Sequence, residues 1–132
     1  MSVYNSITET IGDTPIIRLN RMVPPGAHIY VKSERCNPGG SIKDRPALSM
    51  IDDAVARGLL KEGGTIVEPT SGNMGISLAM IAAARGYHAV IVMPDSMTRE
   101  RISLMKAYGA EIVLSPGANG MQGAVELAES IA

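Results

Sequence analysis

The sequence contains no tryptophan and no phenylalanine, and tyrosine occurs only four times in 132 residues. A core without large aromatic plates must be assembled from Ile, Val, Leu, Ala and the nine Met, which suits helices layered on a sheet. A single cysteine, Cys36, excludes an internal disulfide and fits a reducing compartment better than a secreted scaffold. Twelve basic and thirteen acidic residues leave a net charge of -1, so there is no electrostatic footprint for nucleic acid or an anionic membrane. No apolar run approaches the length of a bilayer span; the longest, around residues 79–84, is short and Ala-rich. The opening MSVYNSITET lacks the basic and apolar segments of a secretory signal. The expectation is a soluble, cytoplasmic protein whose partner is a small molecule, with no nucleic acid, membrane or metal.

Residues 14–19 (TPIIRL) and 28–34 (HIYVKSE) are short and rich in β-branched residues, separated by a Pro-Pro-Gly turn, and read as two strands. From Ser41, apolar residues recur at helical spacing through Leu59, with Gly58 as a stop signal. Strands are then expected at 65–67, 89–93 and 111–114, and helices at 76–85, 98–108 and from about 121, several closed by Gly86 or Gly109. Threefold alternation of strand and helix predicts an α/β fold: a three-layer parallel sheet flanked by helices, preceded by two strands of another unit. The expected division is 1–37 for those strands and 38–132 for the α/β domain. The last helix runs to Glu129, Ser130, Ile131 and Ala132 with no capping Gly, basic last turn or following Pro, so the chain is expected to be the front part of a longer protein.

Two Gly-rich turns carry the chemistry: NPGGSIKDRP at 37–46 and EPTSGNMG at 68–75. Each opens a helix, where free backbone N–H groups and the positive dipole end favour anions. In the first, Ser41 is a candidate N-cap with Asp44 as its reciprocal partner, which places Lys43 in the first turn. The dipole disfavours a positive charge there, an odd position for a merely structural lysine and a suitable one for a nucleophilic amine. Gly39 and Gly40 let another group approach it. The alternative is a solvated lysine in a capping turn, and Pro46 weakens a helix that starts at Ser41. In the second turn, Thr70, Ser71 and Asn73 supply short polar groups while Gly72 and Gly75 let amides converge on a carboxylate or phosphate. The alternative is an ordinary strand-to-helix turn capped by Ser and Asn. Neither GxxxxGK[ST] nor GxGxxG occurs. His28 and His88 lack ligand partners at useful spacing and are read as structural, Cys36 as a buried inert thiol, and Arg99, Glu100 and Arg101 as a solvated helix face.

Together the segments IGDTPIIRLNR, NPGGSIKDRPALSMI, EPTSGNMGISLAMIAAARGY, MPDSMTRERISLMKAYGAEIVL and GANGMQGA resemble the cysteine synthase (O-acetylserine sulfhydrylase) family, from about residue 10 to the end. The resemblance implies the fold type II class of pyridoxal 5'-phosphate enzymes, with Lys43 forming the Schiff base and later taking the substrate's α-proton. It implies that Asn73 hydrogen-bonds the cofactor's 3-hydroxyl, and that Thr70, Ser71, Gly72 and neighbouring amides hold the substrate carboxylate. Acetate would leave O-acetyl-L-serine and sulfide would replace it. Met74 departs from the Thr usual in cysteine synthases and resembles the β-cyanoalanine synthases, so another nucleophile is an alternative, as is cystathionine β-synthase-like activity. The family's phosphate-binding loop lies in a later half, so nothing after Gly75 is assigned to it. On this mapping residues 38–132 belong to the smaller domain, and the strands within 1–37 to the larger one, of a homodimeric enzyme whose active site can accept the tail of serine acetyltransferase. Alone the chain would be inactive, or from a different class, a truncated non-catalytic binding module.

Overall fold

The computed structural model describes residues 2–132. Two short strands, β1 (Ile16–Arg18) and β2 (Tyr30–Lys32), pair antiparallel with Ile17 opposite Val31. Helix α1 (Asp44–Ala56) follows, then β3 (Thr65–Pro69), α2 (Asn73–Arg85), β4 (His88–Pro94), α3 (Arg99–Ala107), β5 (Glu111–Ser115) and α4 (Gly120–Ile131). The sheet β3-β4-β5 is parallel, with Pro69 opposite Val92 and Pro94 opposite Ser115. All three strands therefore end at one edge, where the loops that lead into the helices gather. The α/β layering expected from the sequence is the architecture found.

The central strand explains the layering. His88–Pro94 is apolar without alternation because both of its faces are covered. Ile91 and Met93 point into the cluster built with Ile51 of α1, Leu78 and Ile81 of α2 and Met105 of α3. Val90 and Val92, on the other side of the pleat, pack against Ala124 and Ala128 of α4. Helix α2 is buried through its middle, from Gly75 to Ala82, between the sheet and its neighbours α1 and α3. Its uniform Ala, Ile, Leu and Met composition is the consequence of burial on all sides. The aliphatic and Met core anticipated from the composition is thus what fills both layers.

Three local expectations are corrected. Helix α1 begins at Asp44, not at Ser41, because residues 41–45 form a tighter turn first: Asp44 N–H bonds Ser41 C=O and Arg45 N–H bonds Ile42 C=O. Pro46 consequently falls in the first turn of the helix, where its missing N–H costs no intrahelical bond. Helix α2 starts three residues earlier than expected, at Asn73, so Asn73 and Met74 belong to its first turn. Cys36 is exposed, not buried, in a short 3-10 turn over Glu34–Cys36, with its sulfur 3.3 Å from Ser33 Oγ.

Candidate active site

The lysine turn is fixed by side chains on both flanks of Lys43. Ser41 Oγ accepts the Lys43 N–H at 3.1 Å, which keeps the capping role expected of Ser41. Asp44 does not close a reciprocal box; it turns inward and is fully buried. Its carboxylate accepts the Gly39 N–H through Oδ2 and the Ser77 hydroxyl through Oδ1, each at 2.5 Å. A Cβ on Gly39 would overlap that carboxylate, so this glycine is required by a close approach. On the other flank Arg45 forks onto Glu34, with Nε 2.8 Å from Oε2 and a terminal nitrogen 3.1 Å from Oε1. Thr14 and Asn37 donate to the same carboxylate, and Asn37 in turn accepts the Gly12 N–H. The Arg45 fork, helped by Thr14 and against the cost of burial, holds the Glu34 pKa down at about 2. The same pair raises the pKa of Arg45. Between these anchors Lys43 itself is exposed, and among the described residues no hydrogen bond or ion pair engages its amine.

The asparagine turn is built differently. Thr70 N–H bonds Val92 C=O, continuing the sheet one residue past β3, and the chain then enters α2 through Gly72. No side chain caps α2, and the N–H groups of Ser71, Asn73 and Met74 carry no hydrogen bond among the described residues. Gly75 sits on the sheet, since a Cβ there would come within 2.9 Å of Met105 Sδ and Thr70 Cγ2. Gly72 faces open space, with nothing within 4 Å of where its Cβ would be. Asn73 is exposed, Ser71 half-buried, and Thr70 buried with Oγ1 3.4 Å from the Gly72 amide. Met74 is half-buried and packs partly against the core, so its thioether is not wholly given to the turn.

Both turns meet through α1 and α2. Ser77 Oγ, bonded to Asp44, also stands 3.0 Å from the carbonyl oxygen of Asn73. Lys43, Thr70, Ser71, Gly72 and Asn73 are the candidates the sequence offers; Ser77 is not among them, since in sequence it is only part of an apolar helix. Arg101 is exposed, as expected, yet its guanidinium donates to Ser71 C=O at 3.2 Å and so ties α3 to the loop. The available signal was position: α3 follows the strand next to β3 and starts at the same sheet edge. The His28 ring lies within hydrogen-bond distance of Arg18, at 3.0 Å, and His88 is the exposed first residue of β4. An apolar hollow of about 270 Å³ between α1 and β3 takes in Glu68, where the asparagine turn begins, and no other residue of either turn; burial raises the pKa of Glu68.

These residues fit an aldehyde-bearing, anionic cofactor. A primary amine stands unengaged on a fixed turn, an exposed amide and unbonded N–H groups lie on the turn tied to it, and Gly72 leaves room. Comparison with known proteins agrees. The chain is 55% identical over its whole length to a probable cysteine synthase of Bacillus subtilis (strain 168), covering 43% of that protein. It is 57% identical to the O-ureido-L-serine synthase of Streptomyces lavendulae, again over its whole length and 41% of the relative. The crystal structure of an O-ureido-L-serine synthase superposes with a TM-score of 0.97 at 56% identity, covering 99% of this chain and 42% of the other. A cysteine synthase from Entamoeba histolytica matches with a TM-score of 0.91 at 41% identity, covering 98% and 40%. The chain therefore spans about two fifths of the length of the relatives it matches. With residues 7–132 matching the family described as pyridoxal-phosphate dependent enzyme, the chain belongs to that family.

Proposed function

We propose that this chain forms one wall of the active site of a β-replacement enzyme that converts O-acetyl-L-serine and sulfide to L-cysteine and acetate. The observation that carries this reading is the hydrogen-bonded link between the two turns, which ties the lysine turn to a loop of unbonded amides. When bound, pyridoxal phosphate supplies an aldehyde for the amino group and a ring that accepts the electrons of the broken α-C–H bond. Lys43 Nζ holds the cofactor and, once released, receives the α-proton. The N–H groups of Ser71, Asn73 and Met74, with the hydroxyls of Thr70 and Ser71, take the substrate carboxylate at the positive end of α2. Asn73 is assigned to the ring hydroxyl. Holding carboxylate and amine at two points turns the α-C–H bond toward Lys43 and limits the conformations that must be searched.

Residues 38–132 are assigned to the smaller domain and the strands within 1–37 to pairing with the larger one. Ile16, Ile17, Tyr30 and Val31 are apolar and exposed on the two-stranded ribbon, which is marginal without a further layer. A homodimer, a cytoplasmic location and capture of the serine acetyltransferase tail complete the reading. The test is cysteine formation by the full-length protein from O-acetyl-L-serine and sulfide, run beside cyanide and homocysteine as competing nucleophiles. Cysteine formation lost in Lys43→Ala supports it, while turnover confined to cyanide or homocysteine would replace the assigned nucleophile.

A further inference from the structure

Asp44 is the immediate neighbour of Lys43, yet its carboxylate points into the protein and has no exposed surface. A buried carboxylate is costly, and among the described residues no cation pairs with it, because Arg45 is committed to Glu34. It is satisfied only by the Gly39 amide and the Ser77 hydroxyl. Ser77 is as fully buried, and its oxygen also lies against the Asn73 carbonyl. A hydroxyl has one proton, so Ser77 donates to Asp44 and keeps Asn73 as its second, weaker neighbour. Helix packing alone does not call for this arrangement, since an apolar pair of similar volume commonly holds two helices as well or better. What an apolar pair lacks is direction. The chain from Lys43 through Asp44 and Ser77 to Asn73 fixes the first turn of α1 against the first turn of α2 in angle as well as distance.

We propose that Asp44 and Ser77 are positioning residues whose hydrogen bond sets where the Lys43 amine stands relative to the Asn73 amide. The inference rests on the cofactor assignment made above. It is tested in the full-length, cofactor-loaded protein with Ser77→Ala and Asp44→Asn. Asn at 44 keeps an acceptor for Gly39 and can donate to Ser77, so it preserves the link with one bond reversed. Four quantities are measured: the thermal midpoint without cofactor, the mass of the Lys43 peptide after borohydride reduction, the ratio of the cofactor's two near-ultraviolet and visible bands, and kcat with KM. Ser77→Ala is expected to keep the covalent Lys43 adduct and a midpoint within a few degrees. Its band ratio should change, and its kcat should fall roughly ten- to a hundredfold with KM little altered, the cost of a small misplacement. Asp44→Asn should restore the band ratio and most of kcat. Unchanged bands and kcat in Ser77→Ala, with the adduct present, overturn the brace alone. So does an Asp44→Asn variant as impaired as Ser77→Ala. Absence of a Lys43 adduct in the unaltered protein overturns the cofactor assignment and the brace with it.

Discussion

The lysine turn and the asparagine turn occupy the starts of adjacent helices, and they are held in opposite ways. Around Lys43 every neighbouring polar side chain is spent: Ser41 on the backbone, Asp44 on Gly39 and Ser77, Arg45 on Glu34. Around Asn73 no side chain caps the helix, the Ser71, Asn73 and Met74 amides are unbonded among the described residues, and glycines replace side chains. The turn that carries Lys43, assigned above to covalent bonding, is fixed by charged and buried partners. On the proposed reading the loop accepts one carboxylate after another and keeps donors free for it, since donors already paired inside the protein would have to be released at each binding event. Arg101 holds this loop only from the outside, through the Ser71 carbonyl.

The comparison breaks first at its centre. Lys43→Ala removes the unengaged amine of the lysine turn and should lower turnover of the full-length protein by roughly 10³-fold or more without lowering its thermal midpoint, because Lys43 is exposed and its amine makes no hydrogen bond or ion pair among the described residues. Steady-state rates and a melting curve on the same sample check both halves. Next, the two glycines should separate. Gly39→Ala drives a Cβ into the Asp44 carboxylate and should cost about 1–3 kcal/mol in denaturant unfolding. Gly72→Ala meets nothing within the protein and should leave stability within about 0.5 kcal/mol. On the proposed reading its methyl enters the space beside the substrate carboxylate, so KM for the amino acid should rise roughly tenfold, about 1.4 kcal/mol of lost binding. Equal stability losses in the two variants would remove the distinction between a packed turn and an open one.

The smallest expected effect lies in acid. Glu34 has its pKa lowered from 4.5 to about 2, so the folded state binds its proton more weakly than the unfolded chain does. Its stabilising contribution is therefore complete above about pH 4.5 and is lost as pH falls toward 2. Unfolding free energy measured across that window should fall less steeply with acid in Glu34→Gln. An unchanged slope would mean that the Arg45 fork does not anchor the lysine turn in solution.

Much of this was legible in the chain itself. Alternation of short β-branched segments with helical periodicity, punctuated by Gly86 and Gly109, specifies the α/β order because these signals are local. Lys43 and Asn73 stood out for the same reason, each lying in a glycine turn between a recognisable stop and start. The helix starts did not, since the position of a first turn depends on neighbours: residues 41–45 tighten into i to i−3 bonds, and Gly75 packs onto Met105, a contact between distant segments. Cys36 was misplaced because a three-residue turn has no period from which burial can be read.

What the sequence determined alone was which groups are available: an amine, an amide, a row of short hydroxyls and the glycines that clear space around them. The tertiary structure decided which are free and which are spent. Asp44 looks in sequence like a cap and in space is a buried link to a serine thirty-three positions away; Arg101 is solvated as it looks but also reaches Ser71, thirty positions back. Local propensity acts over a turn or two of chain, whereas a hydrogen bond across helices is set by the packing of the sheet beneath them.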